Sequence, residues 1–216
     1  MIRKVKTGSI SYLEVLHGSG GWYWGTDYTS GDLYEAEELY EDRHRISRNR
    51  LIFADPSGRV VEPVRAEEGQ YFGRPAFSEG RFIILLADFP SGVIRLMSYD
   101  DADGEVRGIV TIPRTEIENC YNLMPEAEPL MLTRQADNSF EVVWPERVKF
   151  PIGPTESFCF REGERFYFSK WYEDPDYREE VVVRGSDGSV LETFPGAINF
   201  MANGEKWILG FSGDGS

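Results

Sequence analysis

The sequence predicts an all-β protein assembled from repeated antiparallel units, and three observations predict it. Short apolar and aromatic runs of strand length recur along the chain, separated by Gly, Pro, Asp and Asn, while only one segment carries a helical spacing. Aromatic residues make up 14% of the 216 residues, a proportion suited to β-rich cores. Turn glycines also recur in register. Gly80, Gly163 and Gly204 hold the same place in AFSEGRF, CFREGERF and FMANGEKW, with gaps of 83 and 41 residues, and Gly104 and Gly188 are 84 apart. Those gaps are close to two, one and two periods of a repeat of about forty residues.

The most regular unit runs from 76 to 112. Arg81 to Ala87 (RFIILLA) lacks alternation and predicts a strand buried on both faces. Val93 to Tyr99 predicts a second strand, Gly104 the hairpin turn, and Glu105 to Ile112 a third. Tyr71 to Phe77 supplies an entry strand, which makes a four-stranded meander.

The same reading extends in both directions. ISYLEVLH, WYWGTDY, LIFAD and RVVEPV form a first unit, and NCYNLM, PLMLTR, SFEVVW and ERVKFPI a third. SFCFREGERFYFSKWYED with EEVVVRGSDGSVLETF forms a fourth, and AINFMANGEKWILGF at 197–211 repeats only the first half of the pattern. Residues 29–49 interrupt the first unit as an insertion. They contain a helix capped by Ser30 or Asp32, with Leu33, Ala36, Leu39 and Tyr40 on one side and Glu35, Glu38 and Asp42 on the other.

Four short strands per period of this length are the pattern of propeller blades, with a β-sandwich of similar hairpins as the alternative. The blocks AFSEGRFIILLAD, FCFREGERFYFSKWYE and INFMANGEKWILGF resemble blade openings of small β-propeller proteins, and loosely hemopexin-type repeats. The length of 216 residues suits one domain over 1–216. The resemblance implies a ring closed by its termini, of four or of five blades according to how the half unit at 197–211 is completed, and ligands on one face or at the central channel.

Charge bounds the partners. A net charge of -14 sets nucleic acid and anionic membrane surfaces against an unfavourable field and favours a basic protein partner or a cationic ligand. No apolar run has transmembrane length and the basic start lacks an apolar h-region, which points to the cytoplasm. Cys120 and Cys159 lack zinc-ligand spacing and are expected as thiols. Phosphate loops, dinucleotide fingerprints and nucleophile elbows are missing, and no cofactor is expected.

Several residues stand out as candidates. Asp27, Asp88 and Glu173 follow matching strands and could supply the paired carboxylates of a glycosidase. Trp22, Trp24, Trp171 and Tyr172 lie beside them and could stack on a sugar or a cation. Asp101 and Asp103, in the acidic turn around Gly104, offer oxygens to calcium but not at EF-hand spacing. His17 and His44 lack any nucleophile context. The insertion turns from acidic to basic at Arg43, Arg45 and Arg48, which suits capture of a protein partner. The expected function is therefore a non-enzymatic binding module that uses one rim and the insertion, with a carbohydrate-active hydrolase or sugar-binding protein as the alternative.

Overall fold

Apolar runs too short for helices, closed by glycines at positive φ, fold into antiparallel meanders in the computed structural model. It describes residues 2–44, 46–136, 138–201 and 205–210. The architecture is all-β, with a single nine-residue α-helix among the described residues. The chain divides into two compact units, Met1–Ala127 and Glu128–Ser216.

In the first unit, β1 (Glu14–Val15), β2 (Tyr23–Thr26), β3 (Leu51–Ala54) and β4 (Val60–Val61) form a sheet in chain order. Helix α1 (Leu33–Glu41) lies between β2 and β3 in sequence, and Asp32 caps it, its Oδ1 accepting from the Tyr34 and Glu35 amides at 2.8 and 3.2 Å. The second sheet contains β5 (Gln70–Phe72), β6 (Ala76–Ser78), β7 (Arg81–Asp88), β8 (Val93–Asp100) and β9 (Glu105–Pro113). The expected single strand at 71–77 is broken in two: β5 pairs with the end of β7 and β6 with its start. The break falls at Gly73-Arg74-Pro75, where Pro75 has no amide to donate. A Cβ on Gly73 would stand 2.8 Å from Leu85 and 3.0 Å from Leu33, so glycine lets the chain pass close to both. Strand β10 (Leu123–Ala127) begins four residues later than the sequence suggests, and the Ser78 hydroxyl donates to its Ala127 carbonyl at 2.6 Å.

Both faces of β7 are buried. Phe82, Ile84 and Leu86 pack with Trp24, Leu51, Phe53, Phe72 and Tyr99, while Ile83, Leu85 and Ala87 are buried on the other face. Gly80, Gly104, Gly163 and Gly188 all take positive φ in their turns, whereas Gly204 lies outside the described residues.

In the second unit, β11 (Leu130–Ala136), β12 (Ser139–Trp144) and β13 (Val148–Pro151) form one meander. Strands β14 (Glu156–Glu162), β15 (Arg165–Tyr172), β16 (Arg178–Arg184) and β17 (Val190–Pro195) form the next, and β18 (Ala197–Phe200) pairs with β19 (Lys206–Leu209) as a hairpin. The four-stranded sheet is covered on both sides. Phe166, Phe168 and Val182 meet Met131, Phe140, Val142, Phe150 and Ile152 on one face. On the other, Tyr167, Val181 and Val183 pack with Phe160 and Phe194 of the same sheet and with Ile198 of β18. This two-sided burial explains why Phe166, Tyr167 and Phe168 follow one another without apolar-polar alternation.

Candidate functional site

The candidate catalytic carboxylates and aromatic residues either help to hold the first unit together or lie on the surface of the second. Asp27 accepts from the Arg50 amide at 2.8 Å, from Asn49 Nδ2 at 3.0 Å and from the Ser9 hydroxyl at 3.0 Å. Asn49 is buried and accepts in turn from the Phe72 amide at 2.7 Å, so this carboxylate ties β2 through Asn49 to β5. Asp88, only 2% exposed, accepts from Gln70 Nε2 at 2.9 Å, from the Ser91 amide at 3.0 Å and from Arg95 Nη2 at 2.9 Å. Its oxygens are occupied by donors from β5, from the following turn and from β8. Glu173 is an exposed residue of the second unit, just beyond β15.

The aromatic candidates divide in the same way. Trp24 is buried in the core of the first unit, and Trp22 packs edge-on against Phe82 at 4.9 Å with the Arg59 guanidinium over its ring at 5.3 Å. Trp171 is exposed on the second unit. Beside it Tyr172 carries Arg178 over its ring at 4.1 Å and Lys170 at 4.9 Å, and its hydroxyl donates to Glu180 at 2.8 Å.

The acidic turn at Gly104 is turned towards arginines. Asp101 pairs with Arg59, whose Nη1 lies 3.0 Å from Oδ1, and accepts from the Tyr99 hydroxyl at 3.1 Å. Asp103 pairs with Arg107 at 2.5 Å and accepts from the Glu105 amide at 2.8 Å. Among the described residues no group of three His, Cys, Asp or Glu side chains is placed to share a metal ion. His17 and His44 are both exposed.

The insertion is anchored at several points. Leu33, Ala36 and Glu37 are buried, Tyr40 stacks on Phe89 at 5.2 Å, and Tyr34 meets Tyr121 edge-on at 5.3 Å. Glu37 was absent from the sequence reading. Its Oε1 accepts from Arg114 Nε at 2.7 Å and from Arg114 Nη2, and its Oε2 accepts from the Cys120 amide at 2.9 Å. Arg114 also donates to the Ile117 carbonyl at 2.7 Å. Among the partner-binding arginines, Arg43 is exposed, Arg48 pairs with Glu62, and Arg45 lies outside the described residues. Deleting 31–48 would therefore remove core contacts as well as a surface.

Three carboxylates, Asp55, Asp101 and Asp103, are held below their ordinary pKa. The Ser57 hydroxyl, ahead of the Arg59 amide and guanidinium, lowers the Asp55 pKa to about 2 against the opposing effect of burial. Asp101 is lowered chiefly by Arg59 and Asp103 chiefly by Arg107. Such carboxylates bind protons more weakly folded than unfolded, so their contribution is present above about pH 4 and fades as pH falls towards the depressed values. Urea midpoints are expected to fall steeply between pH 4 and pH 2, with a shallower slope for Asp55→Asn. Parallel curves for the two proteins would contradict the assignment.

The second unit carries the exposed apolar surface. Leu191 on β17 is 53% exposed, and on the terminal hairpin Phe200, Trp207 and Leu209 are 55%, 48% and 48% exposed. Trp207 Nε1 donates to Glu205 at 3.0 Å. A groove of about 500 Å³ lies against Lys206 and Ile208 of β19, with Pro129, Phe160, Tyr167 and Ile208 as its apolar lining and Glu128, Glu162 and Lys206 among its charged groups. The Phe160 and Tyr167 rings stack 4.3 Å apart and 9° from parallel. Sequence reasoning missed this surface because it read 197–211 only as half a repeat. The available signal was the run of large apolar residues in a segment with too few strands to cover them.

No helix among the described residues is long and apolar enough to cross a membrane. No protein-family model matches the chain, and no curated protein matches it.

Proposed function

We propose that the protein is a non-enzymatic binding module that engages a protein partner through the β17–β19 surface of its second unit. One observation carries this reading: within one short hairpin, β18–β19, the large apolar side chains of Phe200, Trp207, Ile208 and Leu209 are all exposed, as is that of Leu191 on β17. Exposed apolar groups concentrated in this way mark interaction surfaces, whereas singly scattered ones do not.

The finer architecture proposed with it is a series of propeller-like blades. Its support is the succession of antiparallel meanders whose strand order follows the chain, and the positive-φ glycines at matched turns. The sugar-hydrolase alternative gains no comparable support. Asp27 and Asp88 are occupied by backbone and side-chain donors, Trp24 belongs to a core, and Trp22 is partly buried against it. The insertion offers less than the sequence suggests, because its helix buries one side and Arg48 is paired.

A photo-crosslinking amino acid placed at Trp207 is expected to yield a discrete covalent adduct with a second protein in cells, and one at exposed Tyr12 none. Equal smears from both positions would argue against a defined docking surface.

A further inference from the structure

The groove in the second unit already contains a cation. Lys206 Nζ lies over the Phe160 ring at 5.3 Å and 3.7 Å from Glu128 Oε2. The stacked Phe160–Tyr167 pair presents π-faces, and the Tyr167 hydroxyl donates to Glu162 at 3.5 Å, which keeps a second carboxylate at the aromatic edge. The other cation of the lining, Arg161, is engaged elsewhere. It lies over Phe166 at 4.8 Å, pairs with Glu146, and donates from Nε to the Gly163 carbonyl at 2.7 Å. An aromatic face flanked by carboxylates attracts a lysine or arginine side chain, and here it holds one from its own chain.

We propose that this groove receives a lysine or arginine side chain from an extended basic segment of a protein partner, and that Lys206 is the resident cation it displaces. The proposal rests on the reading of the β17–β19 surface as a docking site and names the chemistry of its occupant. Charge complementarity points the same way. The chain carries a net charge of -14, so a basic segment is drawn towards it, and the aromatic faces supply the local selectivity that overall charge lacks. Lys206 then tunes affinity, because a partner must exchange with it rather than enter an empty groove.

The test uses a fluorescein-labelled eight-residue peptide alternating lysine and valine, with its glutamate counterpart as a control. It is read by fluorescence anisotropy at physiological salt, where exposed charges more than about 8 Å apart are largely screened. The lysine peptide is expected to bind and the glutamate peptide not. Lys206→Met is expected to tighten binding about fivefold, the size of one exposed cation–π contact, and Glu128→Gln to weaken it. The charge-matched controls, Lys149→Met and Asp176→Asn on exposed sites outside the groove, are expected to change it less than twofold. None of the four replaces a fully buried side chain, and thermal melts check that each variant folds.

Equal responses from Lys206→Met and Lys149→Met would reduce the effect to net charge and overturn the proposal, as would failure of the lysine peptide to bind either protein. The docking surface is judged separately by the Trp207 crosslink. An adduct there without peptide binding discards the groove and keeps the surface.

Discussion

Replacing Phe140 with alanine is expected to destabilise the second unit by about 4 kcal/mol, within the range for deleting a fully buried aromatic side chain. Phe140 has no exposed surface and stands among four other rings. Phe158 stacks on it at 4.5 Å, and Phe168, Phe150 and Phe166 surround it at 5.3, 5.5 and 5.8 Å. Two effects add in the variant: apolar area is no longer removed from water, and a cavity opens between β12 and β15, two strands held by their own ladders. Phe140→Leu keeps most of the volume and is expected to cost less than half as much. Urea denaturation checks both, through a lower midpoint at unchanged slope. A cost below about 1 kcal/mol for alanine would mean that the cluster collapses freely and is not the keystone of this unit.

Glu37→Ala is the second large effect, at about 3 kcal/mol, because it leaves the Arg114 guanidinium partly buried without its carboxylate and the Cys120 amide without its acceptor. Removing one member of a buried pair costs more than the pair contributes, so Glu37→Leu combined with Arg114→Leu is expected to recover much of the loss. A double variant as unstable as the single one would show that the Arg114 bond to the Ile117 carbonyl, rather than the ion pair, holds this connection in place.

The strands, the helix and its cap were legible because local chemistry specifies them. Asp32 precedes an apolar stripe, Gly80, Gly104 and Gly163 punctuate hairpins, and Arg81–Asp88 has the continuous hydrophobicity of a strand covered twice. Other features were only half legible. Glu37 lies four residues after Leu33 and one after Ala36, which puts it on the buried stripe, yet its charge invites an outward reading until Arg114 is seen 77 residues away. Asp27 and Asp88 were visible as acids at strand ends. Whether such an acid serves chemistry or closure depends on Asn49, Gln70 and Arg95, partners supplied by other parts of the chain. Trp22 and Trp24 illustrate the same gap, since period-two placement cannot say which face has a sheet above it. The exposed surface of β17–β19 required knowing that packing leaves Leu191 and Trp207 about half exposed.

The central claim is that partner capture belongs to the β17–β19 surface rather than to the insertion, and crosslinking in cells from both places tests it directly. With the photo-reactive residue at Trp207 on β19 and, separately, at exposed Glu38 on α1, a discrete protein adduct is expected from Trp207 and none from Glu38. An adduct from Glu38 with none from Trp207 would contradict the account and return the partner site to residues 29–49.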